Sequence, residues 1–133
     1  MRRLCIVESP YAGDVEANLS YARKACRDSY DRGEQPFASH LLYPQFLDDQ
    51  QPDERRDGIA FGYHFWQPSG IVAWYCDNGW SGGMIAALER AVERYQHIEF
   101  QARWIYPGDR IIPVEKFNAE TQQYLLSCGL QVG

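Results

Sequence analysis

The sequence predicts a small α/β sandwich on a mostly parallel sheet, four or five strands wide. Three observations predict it. Ile71-Val72-Ala73-Trp74-Tyr75-Cys76 is a continuous apolar, β-favouring run, the pattern of a strand covered on both faces. Elsewhere apolar residues recur at helical spacing, in segments of roughly 12 to 18 residues. These helical segments alternate with shorter strand-like runs, as chained βαβ units require. The chain has 133 residues and 45% hydrophobic content, enough for one domain over residues 1–133 and too little for two ordinary ones.

Arg3 to Val7 reads as a first buried strand, halted by Glu8-Ser9-Pro10-Tyr11-Ala12-Gly13, where Pro and Gly punctuate a turn. From Asp14 the period changes. Val15, Leu19, Ala22, Cys26 and Tyr30 fall on one helical face, with Glu16, Ser20, Arg23, Lys24 and Arg27 on the other, and Gly33 supplies a stop. Gln35 to Ala38 forms a short second strand. Ser39 to Leu47 is an apolar loop whose content implies that it packs over something, and Asp48 to Asp53 is a surface connection. A helix runs from about Asp53 to Trp66, ended by Gln67-Pro68-Ser69-Gly70. After the central strand, Met84, Ala87, Leu88, Ala91, Val92 and Tyr95 mark the inner stripe of another helix. Ile98 to Tyr106 reads as a strand, and Val114 to Cys128 as a last helix closed by Gly129.

Composition excludes several classes of function. Thirteen Lys and Arg against 18 Asp and Glu leave a net charge of -5, with no basic block to grip a phosphate backbone. A nucleic acid polymer is therefore not the expected partner. No apolar run is long enough to span a bilayer, and the opening residues read as neither a signal peptide nor an anchor. Cys5, Cys26, Cys76 and Cys128 are far apart and lack zinc-type spacing, so a reducing cytoplasm and no metal are expected.

In parallel sheets ligands bind beyond the carboxyl ends of the strands, which directs attention to three loops. Asp77-Asn78-Gly79-Trp80-Ser81-Gly82-Gly83 combines a carboxylate, a hydroxyl and glycines before a helix N-terminus, where an anion or sugar hydroxyls can be held. The same residues also suit a plain turn with Ser81 as a helix cap. Neither the Walker loop nor the GxGxxG fingerprint is present. Ser9 to Gly13 offers a hydroxyl and the Tyr11 ring as a stacking platform. Of the three histidines, His40 lies in a loop expected near the cleft. Cys76 reads as a packed thiol rather than a nucleophile, since no histidine is placed beside it by sequence.

Taken together, Glu8-Ser9-Pro10-Tyr11-Ala12-Gly13-Asp14, Ser39-His40-Leu41-Leu42-Tyr43-Pro44-Gln45, and Asp77-Asn78-Gly79 with Gly83-Met84 resemble the nucleoside 2-deoxyribosyltransferase-like superfamily. They are most similar to a small bacterial and phage branch with the pattern SPYxGD, HLLYPQ, DxGxSxGM. The resemblance spans residues 3 to 106 and implies a Rossmann-like or flavodoxin-like three-layer sandwich. It also implies a nucleoside or nucleotide as small-molecule partner, cleavage of its N-glycosidic bond by hydrolysis or deoxyribosyl transfer, and a homo-oligomer. No cofactor is implied. Residue by residue, Asp77 matches an aspartate that holds the sugar, and Ser9, Tyr11 and Gly13 match the first-strand loop. His40, Tyr43 and Gln45 match a loop near the base, and Ser81, Gly83 and Met84 match a turn lining the sugar or phosphate pocket.

One departure stands out. The family pattern GMxxEIxxA carries a nucleophilic glutamate on the helix, and here that position is Ala87. Alanine offers no nucleophile. Three readings stand open: a substitution introduced to trap substrate, a natural member that only binds its ligand, or a role taken over by Glu89. The last is disfavoured, because two residues turn a helix by roughly 200° and carry Glu89 off the stripe. The alternative to an enzyme is thus a nucleotide-binding or sequestering module.

Overall fold

The computed structural model describes residues 1–66, 68–95, 97–129 and 133. Four strands, β1 (Leu4–Glu8), β2 (Gln35–Phe37), β3 (Ile71–Tyr75) and β4 (Glu99–Arg103), form an all-parallel sheet in the order β2-β1-β3-β4. Four helices accompany them: α1 (Val15–Asp31), α2 (Pro52–His64), α3 (Gly82–Arg94) and α4 (Ala119–Ser127). This is the expected α/β sandwich of Rossmann-like or flavodoxin-like type. Among the described residues, no helix is long and apolar enough to cross a membrane.

The layers follow from strand alternation, which sends successive side chains to opposite faces. Cys5, Val7, Ile71, Ala73 and Tyr75 meet Tyr21 and Ala25 of α1 in one core. Ile6, Val72 and Trp74 meet Trp66 and the inner stripe of α3, Met84, Ala87, Leu88 and Val92, in the other. Every residue of β3 is buried, which is why the Ile71–Tyr75 run is apolar throughout. Trp74 anchors the second core by donating its indole N–H to the Met84 carbonyl at 3.1 Å.

Local signals explain the helix boundaries. Asp14 caps α1 by accepting from the Ala17 amide, and Gly33, at φ 90°, turns the chain out of it in the left-handed region. Ser81 caps α3 and Asn118 caps α4 in the same manner. Several boundaries differ from the sequence-based expectation: β4 ends at Arg103 rather than Tyr106, α2 ends at His64 rather than Trp66, and two differences bear on the packing and the site. Val114 to Cys128 is not one helix: Val114–Lys116 is a single 3-10 turn, Phe117 is extended, and α4 starts only after Asn118. Burial of Phe117 edge-on against Trp80, centroids 5.3 Å apart, sets that break. Glu8, read as the first loop residue, belongs to β1 and stands in register with Trp74. The expected stop at Gln67 lies outside the described residues; Pro68 to Gly70 follow the end of α2 as anticipated.

Candidate functional site

The strand order reverses direction between β1 and β3, since β2 lies outside β1 and β4 lies outside β3. Beyond the carboxyl end of β1 at this switch point lies a cavity of about 720 Å³, within the range of small-molecule sites. Four segments wall it. The end of β1 and its loop contribute Ile6, Glu8, Ser9, Tyr11 and Gly13, and the segment after β2 contributes Ser39, His40, Tyr43 and Leu47. Helix α2 and the turn after it contribute Glu54, Arg55, Gly58, Gly62, Tyr63 and Trp66, and the cap and start of α3 contribute Ser81, Gly82, Gly83, Met84 and Ala87. A second crevice of about 370 Å³, between α3, β4 and α4, is lined almost wholly by apolar side chains such as Trp74, Leu88 and Phe100. Among the described residues, no charged side chain lines it.

The apolar loop Ser39 to Leu47 covers the cleft as two 3-10 turns, Ser39–Leu41 and Tyr43–Gln45. It can approach α2 because the helix is notched by glycine. A Cβ on Gly62 would lie 3.2 Å from the Ser39 Cβ, and one on Gly58 would lie 3.5 Å from Leu47. The loop in turn presents His40, whose ring stacks on Tyr11 with centroids 5.2 Å apart and planes 24° from parallel. Burial holds the His40 imidazole below its ordinary value, against the opposing pull of the Ser9 backbone and Asp49. It is therefore neutral at pH 7.

The same cavity wall holds two polar groups with no hydrogen bond or ion pair among the described residues. The Ser9 hydroxyl is fully buried, and its residue is only 1% exposed, yet it makes no hydrogen bond. The Glu8 carboxyl is neither hydrogen-bonded nor ion-paired by any described residue, and burial pushes it up to about 8. Such groups are costly in a fold unless a ligand or water completes them. At the far wall, Ser81 accepts from the Met84 amide at 3.2 Å, so its hydroxyl acts as a helix cap while its residue lines the cavity. Gly82 and Gly83 form the first turn of α3, where free amides and the positive end of the helix favour an anion.

The structure thus brings together Ser9, Tyr11, Gly13, His40, Tyr43, Ser81, Gly83 and Met84 from the three motifs, together with Ala87 at the position of the expected glutamate. Two others it does not bring there. Gln45 is exposed and turns back to donate to the Leu41 carbonyl at 3.1 Å. Asp77 is absent from the cavity wall and is occupied elsewhere. It accepts from the Tyr21 hydroxyl at 2.6 Å, the Ile105 amide at 2.8 Å and the Tyr106 amide at 2.9 Å. Burial alone would raise its pKa, but these donors hold the carboxyl below its ordinary value. Asp77 is the clamp that ties the exit of β4 and the α1 face to the tip of β3. Asp77→Ala is accordingly expected to cost about 1–3 kcal/mol in urea unfolding, while changing ligand affinity less than Tyr11→Ala does.

Glu89 is also accounted for, since its carboxylate accepts from the Asn118 amide at 2.7 Å and its residue does not line the cavity. Cys76 is buried, and its thiol is pushed up to about 12 by that burial, which removes it as a nucleophile. The residue that sequence reading passed over is Glu8. Its signal was available: a carboxylate ending an otherwise apolar parallel strand, where such sheets hold ligands.

Fold and cleft together define an α/β sandwich protein with a ligand-sized cavity at the switch point of its parallel sheet. The chain belongs to the family of the domain of unknown function DUF7768, whose model matches residues 3–101. No curated protein and no solved structure matches it. The matched span covers all four described segments of the cavity wall.

Proposed function

We propose that this cleft binds a nucleoside or nucleoside monophosphate and acts on its N-glycosidic bond, by hydrolysis or deoxyribosyl transfer. The observation that carries the reading is the convergence of residues from three separate motifs on one cavity, whose wall also holds a stacked aromatic pair, an unpartnered hydroxyl and the Glu8 carboxyl. A base can stack on the Tyr11 and His40 surface. Sugar hydroxyls can use the Ser9 hydroxyl, and a 5′-phosphate suits the first turn of α3. Its setting in the cytoplasm and its assembly as a homo-oligomer belong to the same reading, through the family resemblance.

Ala87 favours a second reading, a module that binds the nucleotide without turnover. It lies in the cavity wall, 2% exposed, at the position where the related pattern has its nucleophile. A panel of nucleosides, deoxynucleosides and their 5′-monophosphates separates the two, with melting temperature reporting binding and chromatography reporting free base. At least one member is expected to raise the melting temperature, and Tyr11→Ala to weaken its binding about tenfold, the worth of one stacked aromatic contact. Ala87→Glu is expected to lower stability by about 1–3 kcal/mol, because it crowds a buried position with a carboxyl. It should at the same time raise base release at least severalfold by adding a nucleophile. Binding with no base released by either form would establish the module; no binding by any member of the panel would end the nucleoside reading.

A further inference from the structure

We propose that Glu8 is the catalytic acid and base of this cleft, supplying from the end of β1 the carboxyl that α3 lacks at position 87. This rests on the nucleoside reading above and assigns its chemistry to a residue on a different element. Four observations support it.

Glu8 is the last residue of β1, beside the switch point, and pairs in register with Trp74 of β3. Alternation from Ile6 places it on the sheet face that carries α2 and α3, and Glu8 and Ala87 line the same cavity. Ile6, Phe37, Trp66 and Met84 are among the apolar residues of that cavity, and Tyr63 of α2 faces Glu8 electrostatically. The other two carboxylates set into the sheet region are fully used. Glu34 is held by Arg103 and Ser29, and Asp77 by three donors, whereas no described residue hydrogen-bonds or ion-pairs with the Glu8 carboxyl. A partly buried acid with no hydrogen bond or ion pair, lining the same cavity as the unpartnered Ser9 hydroxyl, makes no stabilising contact of that kind and is free for chemistry.

Burial raises Glu8 to about 8, so it enters the reaction protonated at neutral pH. The acid donates its proton to an accepting atom of the departing base. The C1′–N bond breaks with its electron pair going to the base, which leaves neutral. A water oxygen then bonds to C1′, and the proton that water loses returns to the Glu8 carboxylate, restoring the acid. Nucleoside and water become free base and sugar, and no other reactant is consumed.

The test compares the full chain with its Glu8→Gln and Glu8→Asp variants, using the same nucleoside and monophosphate panel. Base release is followed by chromatography, and binding by calorimetry with the panel member that raises the melting temperature most. Glu8→Gln keeps the size of the side chain and removes only its ionisation, so circular dichroism and melting are expected to show a folded protein. The expected result is base release by the native chain and a fall of at least 100-fold in Glu8→Gln, with its dissociation constant within about threefold. Glu8→Asp should recover part of the rate. The native rate should fall as pH rises through about 8, a limb missing from the residual activity of Glu8→Gln. His40, Asp49, Tyr11, Tyr63, Glu54 and Arg55 also face this cavity, and the comparison with Glu8→Gln isolates the limb from their titration.

Equal rates in native and Glu8→Gln protein would overturn the assignment and leave the glycosidase reading standing. Tight binding of a nucleoside with no base released by the native chain would overturn it and leave a binding module. Failure of every panel member to bind would remove the nucleoside reading itself, and this proposal with it.

Discussion

Replacing Arg103 with methionine is expected to destabilise the fold by about 3–5 kcal/mol, the usual result of leaving one half of a buried ion pair alone. Arg103 ends β4 on one edge of the sheet, and Glu34 precedes β2 on the other. Both are nearly inaccessible, at 3% and 9% exposure. The guanidinium donates to the two Glu34 oxygens at 2.7 and 2.6 Å and to the Tyr75 hydroxyl at 3.1 Å, crossing beneath β1 and β3 on the α1 side. The Ser29 hydroxyl donates to Glu34 from α1 at 2.8 Å. Without Arg103, Glu34 keeps, among the described residues, the Ser29 hydroxyl and the weakly donating Cys5 thiol, and must ionise in a low-dielectric layer or take up a proton. Glu34→Leu combined with Arg103→Met should recover most of the loss, because an apolar pair of similar volume carries no desolvation cost. Urea unfolding of the two single variants and the double variant measures the coupling. Additive effects would mean that the two side chains do not act as a pair.

The second large effect is a dependence of stability on pH that runs opposite to the usual behaviour of carboxylates. The ordinary glutamate value is 4.5, and in the folded chain Glu8 is raised to about 8. Between these values the unfolded chain has lost the proton that the folded chain keeps. The folded state therefore binds more protons, and stability falls as pH rises through this window. Glu8 imposes no penalty below about pH 4.5 and its full penalty above about pH 8. Glu8 is only partly buried and lines an open cleft, so a loss of about 2 kcal/mol is expected, less than full linkage for a sealed site would give.

His40 acts in the contrary direction, because its lowered value means that the unfolded chain takes up a proton first as the solution is acidified. Asp77 and Glu34, both lowered, also contribute stability that is lost in acid, below about pH 4. The measurement is thus a difference. Glu8→Gln should match the native chain in urea unfolding at pH 5 and exceed it by about 2 kcal/mol at pH 8. A constant gap across that range would show that Glu8 does not hold its proton in the folded state.

Much of the architecture was legible because it rests on local patterns that survive without tertiary context. The run Ile71 to Cys76 can only be a strand buried on both faces, and the stripe Met84, Ala87, Leu88, Val92 can only be a helix packed on one side. Each loop at a strand end was marked by Gly, Pro or a capping side chain. Those loops contain much of the cavity wall, because a parallel sheet brings the carboxyl ends of all its strands to one edge.

What lay beyond reading were the properties that depend on partners distant in the chain. Whether Asp77 faces a ligand or a clamp was decided by Tyr21, Ile105 and Tyr106, which stand 56, 28 and 29 residues away. Whether Val114 to Cys128 stays helical was decided by the burial of Phe117 against Trp80, which outweighs the local helical pattern. Composition alone shows Glu8 as a polar residue ending an apolar run, the mark of a loop. Only the register of β1 against β3 keeps it in the strand, and only the closure of the Ser39 to Leu47 segment over α2 turns that strand end into the floor of a cavity. Local sequence sets the periodicity of each element, while desolvation and hydrogen-bond satisfaction arise from the packing of one element on another, and so the chemistry of this cleft is a property of the assembled fold.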